Sequence, residues 1–309
     1  MNSIFNHLLV IQPDNCNDNV ALNRAIALAE QHQSKVTVFK SFYKQLHSAH
    51  YDTSVADDDL TTFVQQQQQD IWQQVSRLTG SDIKPDIVIS WRENEKRAIA
   101  RLIAQSNISM VINQQQSRRS LLSLFSTGLE HYLISDCELP VWLVKAGTNA
   151  TEMNILACLD VDNQPRDITL NNAILDIGNA LSCYSEHELH VINCYCSDNF
   201  TMSLPYNESS GFVPLPDVAQ QHQHKLQSYI HSHQLPPHCV HLNEGLPDDE
   251  IPRTVTELHS QLAIIGNSHM HDISSALLGD TAHYLSEHTP CDVLVVKPPH
   301  VGANHATHA

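Results

Sequence analysis

One pattern is written twice in this chain, and that repetition constrains its fold more than any other feature. His131-Tyr132-Leu133 stands ten residues ahead of Val141-Trp142-Leu143-Val144-Lys145, and His283-Tyr284-Leu285 stands ten ahead of Val293-Leu294-Val295-Val296-Lys297. The halves also begin alike. His7–Ile11, polar residues and the amphipathic Val20–Glu30 match Asn154–Leu159 followed by Ile168–Leu181. Each half is long enough to bury a core of its own. The chain therefore divides into domains 1–148 and 149–299, with a flexible histidine-containing tail at 300–309.

Within each half, short β-branched runs alternate with stretches of helical period, the pattern of β-α-β units around a parallel sheet buried on both faces. The expected strands are His7–Ile11, Lys35–Phe39, Asp86–Trp91, Met110–Asn113 and Val141–Val144, then Ile155–Leu159, Leu189–Cys194, Val240–Asn243, Leu262–Gly266 and Val293–Lys297. The fold class is α/β: two tandem doubly wound five-stranded parallel sheets. The apolar strands Val141–Val144 and Val293–Val296 need cover. Pairing of these two edges would make an internal pseudo-dimer, and pairing between chains a homodimer. Gln65–Gln69 reads as the solvated face of a helix. The stretches Gln45–Asp57 and Asp198–Pro216 read as long loops able to lie over a site.

The formal charge of −17 is unevenly shared: residues 151–309 hold 4 Lys+Arg against 19 Asp+Glu, a balance of −15. Nucleic-acid binding needs cations that displace phosphate counterions, so no nucleic-acid partner is expected. No apolar run approaches a membrane span and no export signal is visible, so the expectation is a cytoplasmic protein without membrane insertion. The eight cysteines show no C-x-x-C spacing and read as reduced, packed thiols.

Ligands of open parallel sheets bind beyond the carboxyl ends of the strands, where strand order reverses. Neither a Walker A sequence nor G-x-G-x-x-G follows any strand, which argues against P-loop nucleotidases and dinucleotide-dependent dehydrogenases. In the second half Gly266 ends the fourth strand and Gly279-Asp280-Thr281 opens the last helix, where backbone N–H groups can meet an anion. On these residues the chain resembles the universal stress protein family, in particular its tandem members of the E type. That family carries a nucleotide motif of glycine, two residues, glycine, nine residues, then glycine and a small polar residue, with an aspartate after the first strand. Here the matching positions are Gly266, His269, Gly279 and Asp280, and Asp160 stands in the aspartate position. The resemblance implies an adenine nucleotide alpha hydrolase-like fold and a stress-response role.

The departures from that motif shape the functional expectation. Asp280 sets a carboxylate where phosphates would lie, and His269 adds a side chain where a glycine belongs. Two unit charges about 4 Å apart repel by roughly 4 kcal/mol at an effective dielectric near 20. No Lys or Arg occurs between Thr254 and Val296 to offset this. In the first half, Asn113, Gln116 and Ser126-Thr127 replace the glycines and Gln12 the aspartate, and Arg118 and Arg119 read as a solvated pair. The expectation is a non-enzymatic stress-response protein with degenerate nucleotide motifs and no cofactor, binding a small ligand or a protein partner. The candidate ligand residues are Asp160, Gly266, His269, Gly279, Asp280 and Thr281. The alternative is an ATP-binding protein that uses the second domain for weak binding of ATP or another adenine nucleotide.

Other chemistry-bearing residues have plainer readings. Asp57-Asp58-Asp59 and Asp248-Asp249-Glu250 fit the first turns of helices, where acidic residues face the positive end. His231, His233, His238, His241, His269, His271, His300, His305 and His308 match no metal-site spacing. They read as solvent-exposed, with no metal expected. Cys194-x-Cys196 reads as core packing or strand edge.

Overall fold

The computed structural model describes residues 4–13, 19–48, 57–78, 83–115, 127–145, 154–161, 165–183, 188–196, 217–267 and 279–298. Among the described residues ten strands form: β1 His7–Gln12, β2 Lys35–Ser41, β3 Asp86–Ser90, β4 Met110–Gln114 and β5 Val141–Val144, then β6 Asn154–Cys158, β7 Leu189–Tyr195, β8 Val240–Glu244, β9 Ser260–Gly266 and β10 Asp292–Val296. Every strand expected from the alternating runs is present, with ends that match or differ by at most two residues. The helices are α1 Val20–His32, α2 Tyr43–Ser48, α3 Asp57–Leu78, α4 Glu95–Gln105, α5 Thr127–His131 running into a π-helical turn Tyr132–Asp136, α6 Pro165–Ser182, α7 Val218–Ser232, α8 Pro247–Glu257 and α9 Gly279–His288. The stretch read as a loop from Gln45 starts inside α2, so its first residues are helical. Asp198–Pro216 and the tail after Pro299 lie outside the described residues.

All ten strands belong to one sheet, in the order β3-β2-β1-β4-β5-β10-β9-β6-β7-β8. Each half is parallel and doubly wound, with its switch point between first and fourth strands. The halves join through β5 and β10, which pair antiparallel: Val141 faces Val295, Trp142 faces Leu294, and Leu143 faces Val293. Equivalent strands paired in opposite directions generate a local two-fold axis at Trp142 and Leu294. The two apolar edges thus cover one another within the chain, as the internal pseudo-dimer requires.

Alternation along the strands explains the layers. Leu8, Val10, Met110 and Ile112 point to one face, packing with α1, α3, α6 and α7. Leu9, Ile11, Val111, Val141 and Val293 point to the other, packing with α4, the π-helical turn, α8 and α9. Corresponding helices of both halves share a face, so the local axis runs perpendicular to the sheet. The repeated Leu133 and Leu285 are both buried. Burying one such side chain is worth about 1.5–3 kcal/mol, which is why the repeat keeps them.

The repeated terminal lysines also have a structural role. Lys145 Nζ donates to the carbonyl of Thr289, and Lys297 Nζ donates to the carbonyl of Ile134. Each therefore reaches from its own half to the backbone of the other. Burial lowers both amines below the ordinary lysine value, Lys297 to about 8.

The acidic helix starts behave as their chemistry dictates. Asp248, Asp249 and Glu250 occupy the first turn of α8, and α3 begins at Asp57. Asn94 caps α4 by accepting from the Lys96 amide at 3.0 Å. Among the described residues no helix is long and apolar enough to cross a membrane.

Candidate functional site

A cavity of about 230 Å³ opens at the carboxyl ends of β6, β7 and β9, against the first turns of α6, α8 and α9. This is the switch point of the second half. The strand order β10-β9-β6-β7 reverses direction between β9 and β6, so the loops after those strands diverge and leave a crevice.

Three of the sequence-derived candidates line this cavity: Asp160, Gly266 and Thr281. Gly279 starts α9 and Asp280 follows it, while His269 and the side chain of Asp280 lie outside the described residues. Gly266 has a packing reason as well as a motif reason. A Cβ there would sit 2.7 Å from Leu170 Cδ2 and 3.1 Å from Leu170 Cγ, so the missing side chain lets α6 close over β9.

The walls add residues that the motif did not point to. Asp167 supplies a second carboxylate at the start of α6, and Cys158 and Cys194 face the cavity from β6 and β7. Burial drives both thiols up, Cys194 to about 12 with Glu250 adding to the effect, so both are neutral at physiological pH. The strand alternation in Leu189–Tyr195 could have found Cys194, because it shares a parity with Ile192, which also lines the cavity. Asn171 Nδ2 donates to the Asp160 carbonyl at 2.6 Å, and Asn193 Nδ2 to the Leu159 carbonyl at 2.9 Å. Asn193 Oδ1 is 2.7 Å from His222 Nδ1. These amides brace the turn after β6. Among the described lining residues there is no Lys and no Arg.

The equivalent corner of the first half is built differently. Gln12, in the aspartate position, is buried and donates through Nε2 to Asn19 Oδ1 at 3.3 Å and Gln74 Oε1 at 2.9 Å. Its longer side chain ties the end of β1 to α3 and the start of α1. Asn113 is buried as well, while Gln116, Arg118, Arg119 and Ser126 lie outside the described residues.

The described histidines are less uniformly exposed than the sequence suggested. His231 and His238 are exposed, but His233 and His241 are half-buried. His233 lies 3.2 Å from both Asn179 Nδ2 and Asn172 Oδ1, and His241 lies 3.1 Å from the buried His190. Neighbouring polar groups hold these two rings against the fold. Of the cysteines among the described residues, all are free.

Fold and cavity together define a tandem doubly wound α/β protein with a crevice at the switch point of its second half. The chain belongs to the Universal stress protein family, matched at residues 5–145 and again at 153–297. Membership supports a stress-response role, and the full-length similarity places the chain with the E-type tandem members. It is 24% identical to the universal stress protein E homolog of Haemophilus influenzae over 303 residues, 95% of this chain and 97% of the relative. Universal stress protein E of Escherichia coli K12 is 22% identical over 302 residues, 96% of this chain and 95% of its own length. A crystal structure of a protein of unknown function from Pseudomonas aeruginosa PAO1 superposes with a TM-score of 0.70 at 21% identity, covering 96% of this chain and 93% of that one. A universal stress protein from Archaeoglobus fulgidus gives 0.65 at 14% identity, covering 95% and 96%. These two likenesses show the fold.

Proposed function

We propose that this is a non-enzymatic, cytoplasmic stress-response protein that holds a small uncharged or cationic ligand in the second-half cavity, and that polyphosphates are disfavoured there. The observation that carries this is the charge of the cavity wall: Asp160 and Asp167, with no Lys or Arg among the described lining residues. A triphosphate placed there would meet like charge in a partly desolvated crevice, where repulsion is weakly screened. Burial holds Cys158 and Cys194 as neutral thiols, so neither offers a thiolate nucleophile to a ligand in the cavity. The braces formed by Asn171 and Asn193 are structural contacts to backbone.

The second reading, weak binding of an adenine nucleotide, is favoured by one observation. Asp160, Gly266 and Thr281 gather around a single cavity beside the start of α9. Thermal-shift measurements with adenosine, AMP and ATP separate the two. Our reading expects stabilisation to fall as phosphates are added. Stabilisation that rises from adenosine to ATP contradicts it.

A further inference from the structure

The opposite end of the second-half sheet gathers metal-ligating side chains that the switch-point cavity does not use. β7 and β8 are parallel neighbours, with Val191 beside Val240, so the residues entering both strands meet at one corner. Glu188 stands immediately before β7 and His190 is its second residue. Cys239 closes the 3-10 turn Pro237–Cys239, and His241 is the second residue of β8.

One ligand atom from each of Glu188, His190 and Cys239 lies within 4.8 Å of the other two. His190 Nε2 is 3.6 Å from Glu188 Oε2, and His190 Nδ1 is 3.1 Å from His241 Nε2. His238 Nε2 lies 3.2 Å from Glu188 Oε1. Ligands held about 2.0–2.3 Å from a tetrahedral zinc stand roughly 3.3–3.8 Å from one another. The histidine–carboxylate pair already has that spacing, the exposed Glu188 carboxylate is able to adjust, and the Cys239 sulfur stands within 4.8 Å of both.

We propose that Glu188, His190 and Cys239 form a binding site for a zinc-class divalent cation, with the fourth position open to water beside His238. The donor set selects the class: carboxylate, imidazole and sulfur together suit zinc-like ions, whereas calcium and magnesium take oxygen shells. The site is also braced as such sites are. His190 and Cys239 are 5% and 2% exposed, and His241 engages the far ring nitrogen of His190, fixing which nitrogen faces the carboxylate. Glu257 lies close enough to act electrostatically on His241 and adds negative potential. A bound ion would tie the entry of β7 to the turn feeding β8, one of the two edge strands of the sheet among the described residues.

Cobalt(II) is the direct probe. Full-length protein stripped with a chelator is titrated with Co2+ while the near-ultraviolet thiolate-to-cobalt charge-transfer band and the visible d–d bands are recorded. The expected result is a charge-transfer band that saturates at a single equivalent and is displaced by Zn2+. Cys239→Ser removes that band, and His241→Gln weakens Co2+ binding by about 10–100-fold. Replacing His300, His305 and His308 with Gln leaves the spectrum unchanged. Wild-type protein without the band, a band that survives Cys239→Ser, or a spectrum that disappears with the tail histidines overturns the proposal.

Discussion

Arg24 in the first half and Asp292 in the second form a buried ion pair, with 2.9 Å between Nη2 and Oδ2. Asp292 also accepts from Trp142 Nε1 at 3.1 Å and from the Lys145 amide at 2.9 Å. Arg24 in turn lies over the Trp142 ring, 5.6 Å from its centroid. Asp292 stands where the first half has Pro140, so this contact has no counterpart across the local two-fold axis. It fastens α1 of one half to the closing strand of the other.

Removing one partner should therefore cost far more than a surface ion pair would. Asp292→Ala leaves a buried guanidinium without its carboxylate and is expected to destabilise by about 3–5 kcal/mol. Replacing both, Arg24→Met with Asp292→Leu, should recover a large part of that loss. Urea titrations of the three variants check this, and a neutral Asp292→Ala would show that the pair does not hold the halves together.

Gly266 is expected to tolerate little. Gly266→Val pushes a branched side chain into Leu170 and Ile174, which a Cβ already meets at 2.7 Å and 3.3 Å. Overpacking of this kind costs about 1–3 kcal/mol and would also shrink the cavity. Thermal melting of the variant reads the cost, and an unchanged midpoint would mean that α6 can move off β9 freely.

Lys297 gives a pH dependence of definite sign. Its folded value of about 8 lies below the roughly 10.4 of a free lysine, because burial outweighs the help of Cys137 and Asp136. Between those values the unfolded chain holds a proton that the folded chain has released, so this group adds stability as pH rises through the window. Below about 8 both states are charged and the cost of burial is felt in full. Relative to Lys297→Met, wild type should gain stability from roughly pH 7.5 to pH 10. A constant difference across that range contradicts the assignment.

Thiol chemistry should follow burial. Cys183 and Cys196 are exposed, whereas burial raises Cys291 to about 12 and Cys158 well above its ordinary value. Alkylation of native protein followed by peptide mass analysis should label Cys183 and Cys196 long before Cys158, Cys194 and Cys291. Early labelling of Cys158 would show its thiolate to be accessible.

The strands and the repeat were legible because alternation and β-branched runs report a sheet buried on both faces, as Leu8, Leu9 and Val10 show. What the sequence concealed were contacts made between distant elements. Nothing local to Arg24 or Asp292 announces a partner 268 residues away. Gly266 looked like part of a nucleotide motif, yet its neighbours Leu170 and Ile174 give an independent reason for glycine there. Glu188-Leu-His190 and Cys239-Val240-His241 each carry ligand residues at strand spacing. Only the parallel pairing of β7 with β8 sets the two segments side by side, and metal patterns written for one segment miss them.

The most direct test of the functional account is calorimetric titration of ATP into the full-length protein at neutral pH, with Asp167→Asn alongside, which removes one of the two carboxylates of the cavity wall. If the second-half site has been remodelled away from polyphosphate, wild type binds ATP no tighter than about 1 mM, roughly −4 kcal/mol, and the variant gains a saturable signal. Saturable wild-type binding near 1 μM, about −8 kcal/mol, would contradict the account and make this a nucleotide-binding protein.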